Sequence, residues 1–117
     1  MTNREIFNEV AIACSGVLAT MNEKNEAPID KVPKFDIDSF NPEKISLKEY
    51  WLVMRHIKEA GLIESVLRLE LKRMFHAIDE EPRFMKLLGL VTTTLYAIDT
   101  PEAIEAADKF YDYLKID

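Results

Sequence analysis

The chain has 117 residues with a formal net charge of −6; 48% are hydrophobic, 31% charged and one is cysteine. That length fits one domain able to bury a core without staples, the composition is not that of a disordered chain, and a lone Cys14 leaves no internal disulfide. The acidic balance disfavours nucleic acid as a partner, no apolar run approaches the roughly 20 residues a bilayer demands, and the opening MTNREIFNEV carries charges where a signal peptide would be oily. A cytoplasmic protein with a reduced thiol and no membrane partner is expected.

In chain order, Ile6, Val10, Cys14, Val17, Leu18 and Met21 form a helical stripe, which predicts a first helix over residues 3–21 capped at Thr2 or Asn3. On that stripe Cys14 reads as a small buried hydrophobe and not as a nucleophile. Residues 22–41 follow as a long proline-containing loop, with Val32, Phe35, Ile37 and Phe40 spaced to pin it to the core. A connection of that length holds open a role in partner binding. Asp36, Asp38 and Asn41 begin like a calcium loop, but its sixth and twelfth positions fall on Asn41 and Leu47, not on glycine and glutamate, so calcium is excluded.

Ser46 and Glu49 form a capping box, and Leu47, Tyr50, Trp51, Met54 and Ile57 give the helix behind it one apolar face that Gly61 closes. Trp51 is its expected anchor. The other face carries Lys48, Glu49, Arg55, His56 and Glu59 and reads as a solvated face or a docking surface. Residues 62–78 are ambiguous: Ile63, Val66, Leu67, Leu71, Met74, Phe75 and Ile78 obey helical spacing, whereas Leu67, Leu69 and Leu71 alternate with charges as a strand would. The helical template collects more matches. Asp79-Glu80-Glu81-Pro82 predicts a turn into a helix with proline in its first turn, and Phe84, Leu87, Leu88, Val91, Leu95 and Ile98 make the next stripe. The strand-loving VTTTLY and Gly89 weaken that helix. Thr100-Pro101-Glu102 starts the last one, expected to run to about Lys115 and to bury Ile104, Ala107, Tyr111 and Leu114.

Chemistry-bearing patterns are sparse. His56 and His76 have no metal-ligand spacing, three glycines make no phosphate loop, and Glu80 with Glu81 suits a helix start better than acid–base work. No catalytic, cofactor-binding or metal residue is expected, and hence no enzyme and no cofactor. Charge is uneven: Arg68, Lys72, Arg73, His76, Arg83 and Lys86 make a basic strip, while Asp99, Glu102, Glu105, Asp108, Asp112 and Asp117 make the C-terminal segment acidic, so the two could face each other. Glu64 with Arg68 and Glu105 with Lys109 sit four apart, as on solvated helices. Tyr96, Phe110, Tyr111 and Tyr113 exceed what one face of a short helix buries, and the surplus could pair two copies as a homodimer.

Residues 40–66, through Ile45, Ser46, Tyr50, Trp51, Gly61, Leu62 and Ile63, resemble the YjcQ-like small winged-helix proteins of Gram-positive bacteria and their phages. The resemblance implies a strand after the glycine turn and a nucleic-acid- or protein-binding regulator with Lys48, Arg55, Arg68, Lys72 and Arg73 nearest the ligand. This chain departs from the family where a short glycine-rich wing should follow, and Thr100-Pro101-Glu102 replaces the usual threonine-lysine-glycine start of the last helix.

The expectation is an all-α single domain over residues 1–117, a bundle of about five helices, with an α+β winged helix as the alternative. Its expected function is non-enzymatic binding of another macromolecule, a protein first, in a bacterial or phage regulatory or accessory role; a winged-helix DNA-binding transcriptional regulator is the alternative. Lys48, Arg55, Arg68, Lys72 and Arg73 are the candidate partner-binding residues.

Overall fold

Thr2 opens helix α1 (Asn3–Thr20) in the computed structural model, which describes residues 2–21, 47–59 and 61–115. Its hydroxyl accepts from the Glu5 N–H at 3.2 Å, and the Glu5 carboxylate accepts from the Thr2 N–H at 3.4 Å, so two otherwise orphaned donors are satisfied reciprocally. Ile6, Val10, Cys14 and Val17 are buried as expected, and the helix stops one residue short of Met21. The expected 22–41 loop and the Ser46 cap lie outside the described residues.

Helix α2 (Leu47–Glu59) buries Tyr50, Met54 and Ile57. Trp51 is only half-buried, so the deep anchor is the phenol of Tyr50 and not the indole. Gly61 ends α2 with φ 76°: its N–H donates to the Lys58 carbonyl at 2.9 Å and the Leu62 N–H to the Ile57 carbonyl at 3.0 Å. That pair of bonds is the Schellman closure, which needs a left-handed residue and therefore favours glycine.

The ambiguous stretch is helical: α3 spans Ile63–His76, and it occupies the place where a strand would begin a wing. Its buried face keeps Ile63, Val66, Leu67 and Met74 of the expected stripe, with Ile78 buried just beyond its end, and takes in Glu70 as well, while Leu71 is half-buried and Phe75 is 55% exposed. Phe75 instead meets Phe7 of α1 with ring centroids 5.6 Å apart. Pro82 stands at the N-cap of α4 (Arg83–Ile98), one residue before the expected first turn, behind a cis Glu81–Pro82 bond.

Helix α4 is buried on nearly all sides, which explains how a strand-prone sequence becomes helix. Thr92, Thr93 and Thr94 donate their hydroxyls to the carbonyls of Leu88, Gly89 and Leu90 at 2.8, 2.9 and 2.8 Å. With that polarity absorbed within the helix, the threonines pack as β-branched apolar groups, and tertiary burial overrides propensity. Asp99 closes α4 in the left-handed conformation at φ 60°, and Lys58 Nζ donates to the Ile98 carbonyl at 2.7 Å.

Thr100 accepts from the Ala103 N–H at 3.2 Å, with Pro101 next, so α5 (Pro101–Lys115) starts as expected. Its inner face is Ala103, Ala106, Ala107 and Phe110; Tyr111, expected inside, is 42% exposed. The small alanines let α5 lie close on α4, and the register they impose turns Tyr111 outward. Helices α2, α3 and α5 all pack on α4, and α1 packs on α3 and α5. The architecture is an all-α bundle, with no strand among the described residues.

Candidate partner-binding groove

Among the described residues, three places bring polar groups together: a buried cluster that fixes helix positions, an open groove and a smaller cavity beside α1. Glu70 of α3 is 3% exposed, and the Tyr50 phenol donates to its Oε2 at 2.6 Å. Thr94 Oγ1 lies 2.7 Å from Glu70 Oε1 and 2.8 Å from the Leu90 carbonyl. A hydroxyl has one proton and cannot donate to both. Both contacts are satisfied when Glu70 carries a proton, donating to Thr94 while Thr94 donates to Leu90. Burial pushes the Glu70 carboxyl up to about 8, against the lowering hydrogen bonds of Tyr50 and Thr94 and the Arg73 charge, in keeping with a protonated acid at neutral pH. A perturbed carboxyl can mark an active site. Here Glu70 lines neither described cavity, so it works as a pin between α2, α3 and α4.

The groove runs between α2, α4 and α5, about 430 Å³ in volume and lined by Trp51, Thr92, Thr93, Tyr96, Asp99, Ile104, Tyr111 and Leu114. Three of its hydroxyls are committed elsewhere: Thr92 and Thr93 to their own helix, Tyr96 to the Asp108 carboxylate at 2.7 Å. Those walls therefore present methyl groups and ring surface beside the Asp99 carboxylate. Burial, the bond to Asp108 and the carboxylates of Asp108 and Asp112 push the Tyr96 phenol upward, so this phenol stays neutral and the region around it is negative. On the α2 side the Arg55 guanidinium lies 5.3 Å from the centroid of the Trp51 ring, a cation–π contact.

A second cavity, beside Thr2, Asn3, Arg4, Ile78 and Asp79, is crossed by a structural tie. Asn3 Nδ2 donates to the Ile78 carbonyl at 2.9 Å and to Glu81 Oε1 at 2.6 Å, joining α1 to the α3–α4 turn.

The four candidate residues whose side chains are described do not gather at the groove. Arg55 adjoins the groove through Trp51; Arg68 and Lys72 are exposed on α3, Arg73 is half-buried there, and no α3 residue lines the groove. Lys48 belongs to α2, but its side chain lies outside the described residues. The C-terminal helix meets α1 through its non-acidic residues: Lys109 Nζ is 3.9 Å from Glu9, and Tyr113 donates to the same carboxylate. Arg83 of the basic strip pairs with Glu80 at 3.3 Å. The groove residues Thr92, Thr93, Ile104 and Leu114 were legible only as strand formers or core; the surplus of aromatics around Tyr96 and Tyr111 was the signal that pointed here.

Among the described residues no group of three His, Cys, Asp or Glu side chains could hold a metal, and no helix is long and apolar enough to cross a membrane. No family model, curated protein or solved structure matches the chain.

Proposed function

We propose that this chain is a non-enzymatic protein-interaction domain with a regulatory or accessory role, and that a partner protein inserts a side chain into the α2–α4–α5 groove. The observation that carries the reading is a groove in which the hydroxyls of Thr92, Thr93 and Tyr96 are already hydrogen-bonded within the fold, leaving apolar and aromatic surface beside the Asp99 carboxylate. Such a surface gains by taking in an apolar stem. The net charge of −6 favours a protein over a nucleic acid as the partner.

A photo-reactive phenylalanine analogue at Tyr111, on the groove, and another at the exposed Ser15 of α1 test this in cells. A discrete adduct from position 111 and none from position 15 is expected. Adducts from neither site, or equally from both, would count against the groove. An adduct of twice the chain mass would identify a second copy as the occupant.

A further inference from the structure

Resting on the reading of the groove as a protein-binding site, we infer that the side chain it receives is cationic: an arginine of the partner, with its stem along the apolar wall and its guanidinium among Trp51, Tyr96, Tyr111 and Asp99. Three aromatic residues and one carboxylate line the same cavity. Aromatic faces attract cations, and a planar guanidinium stacks on rings while it hydrogen-bonds a carboxylate.

The position in the fold adds to this. Asp99 is the C-cap of α4, so the groove opens at the negative end of the most buried helix in the bundle. Asp108 and Asp112 add their charge beside Tyr96. Two cations of the chain already exploit this neighbourhood, Lys58 on the Ile98 carbonyl and Arg55 over Trp51. Three carboxylates against these two cations leave the region negative. An apolar occupant would strip water from Asp99 and return nothing, and a neutral donor would return an ordinary hydrogen bond, whereas a guanidinium replaces the lost hydration with a stronger charge-assisted bond.

The fluorescence of Trp51, the chain's sole tryptophan, reports on the site directly. Butylguanidinium and its neutral isostere butylurea are titrated against the full chain, with groove amide shifts followed by NMR. The cation should bind at least about two-fold more tightly, the lower end of what one cation–π contact at an exposed site contributes, with the charge-assisted bond to Asp99 adding the larger share. Asp99→Asn should remove most of the preference; asparagine tolerates the left-handed backbone at φ 60°, so the fold is retained and circular dichroism verifies it. Equal binding of the two probes, or preference for butylurea, overturns the cation while leaving the groove as a docking site. A saturable response to neither, together with no adduct at position 111, removes both.

Discussion

Tyr50 and Glu70 meet inside the bundle at 2.6 Å, a phenol donating to a carboxyl group that has almost no access to water. Because burial raises the Glu70 carboxyl from 4.5 to about 8, the folded chain holds a proton there that the unfolded chain gives up at lower pH. The stability due to this is fully present below about pH 4.5 and is lost as pH rises toward 8, where ionising the folded acid becomes necessary. At about 1.4 kcal/mol for each pH interval of one between the unfolded and folded values, the loss is on the order of 3–5 kcal/mol. Glu70→Gln imitates the protonated acid, with an amide that can donate to Thr94 and an oxygen that accepts from Tyr50. Urea unfolding from pH 5 to 8.5 should show stability falling in the parent chain and nearly constant in the variant, which becomes the more stable of the two at the alkaline end. Parallel curves would contradict a protonated Glu70.

The three consecutive threonines of α4 differ in what their hydroxyls support. Thr93 bonds only to the Gly89 carbonyl of its own helix, whereas Thr94 also faces Glu70 Oε1. Thr94→Val leaves a buried carboxyl oxygen without its partner and should cost about 1–3 kcal/mol, the usual penalty for an unsatisfied buried polar atom. Thr93→Val keeps shape and strands no partner, so a change within about 0.5 kcal/mol is expected. Chemical denaturation of the two variants side by side gives the comparison, and a costlier Thr93→Val would contradict the assigned roles.

These residues also mark what a sequence can and cannot disclose. Helix starts at Thr2 and Thr100, the Gly61 stop and the burial of Cys14 were legible because each depends on local chemistry or simple period. Periodicity also gave five helices. It placed Phe75 and Tyr111 inside, since it weighs size and spacing and cannot know that the alanines of α5 set its contact face or that Phe75 meets Phe7 of α1 at the surface while Glu70 is buried. The Tyr50–Glu70–Thr94 cluster joins residues 20 and 24 positions apart on three helices, and only the packing angle between helices brings them together. The groove was hidden for the same reason. Its walls come from α2, α4 and α5, and apart from the surplus aromatics Tyr96 and Tyr111 each contributor reads as ordinary core or solvated face in its own segment.

Gly61 offers a clean measure of backbone cost. A Cβ added there would meet nothing within 4 Å, so a substitution incurs only the strain of a left-handed residue at φ 76°. Gly61→Ala should therefore destabilise by about 1–2 kcal/mol, and Gly61→Asn by less, because asparagine visits that region more readily. Thermal unfolding of both variants provides the ranking. An alanine variant as stable as the parent would mean that the α2–α3 connection does not depend on the Schellman bonds.

Cys14 carries the last prediction. Burial, followed by the charge of Glu70, pushes its thiol up to about 12, so at pH 8 the folded chain holds almost no thiolate. The thiolate is the reactive species, and a free cysteine near 8.5 is about a quarter ionised at that pH, so ionisation alone should suppress labelling by roughly 10³-fold. Burial blocks approach of the reagent as well. An aromatic disulfide reagent should modify Cys14 only when the bundle opens, with a rate that rises in step with urea-induced unfolding. Labelling of the native chain at the rate of an unfolded peptide would mean that α1 leaves the bundle easily. The contacts of Ile6, Val10 and Val17 with the core would then be weaker than their burial implies.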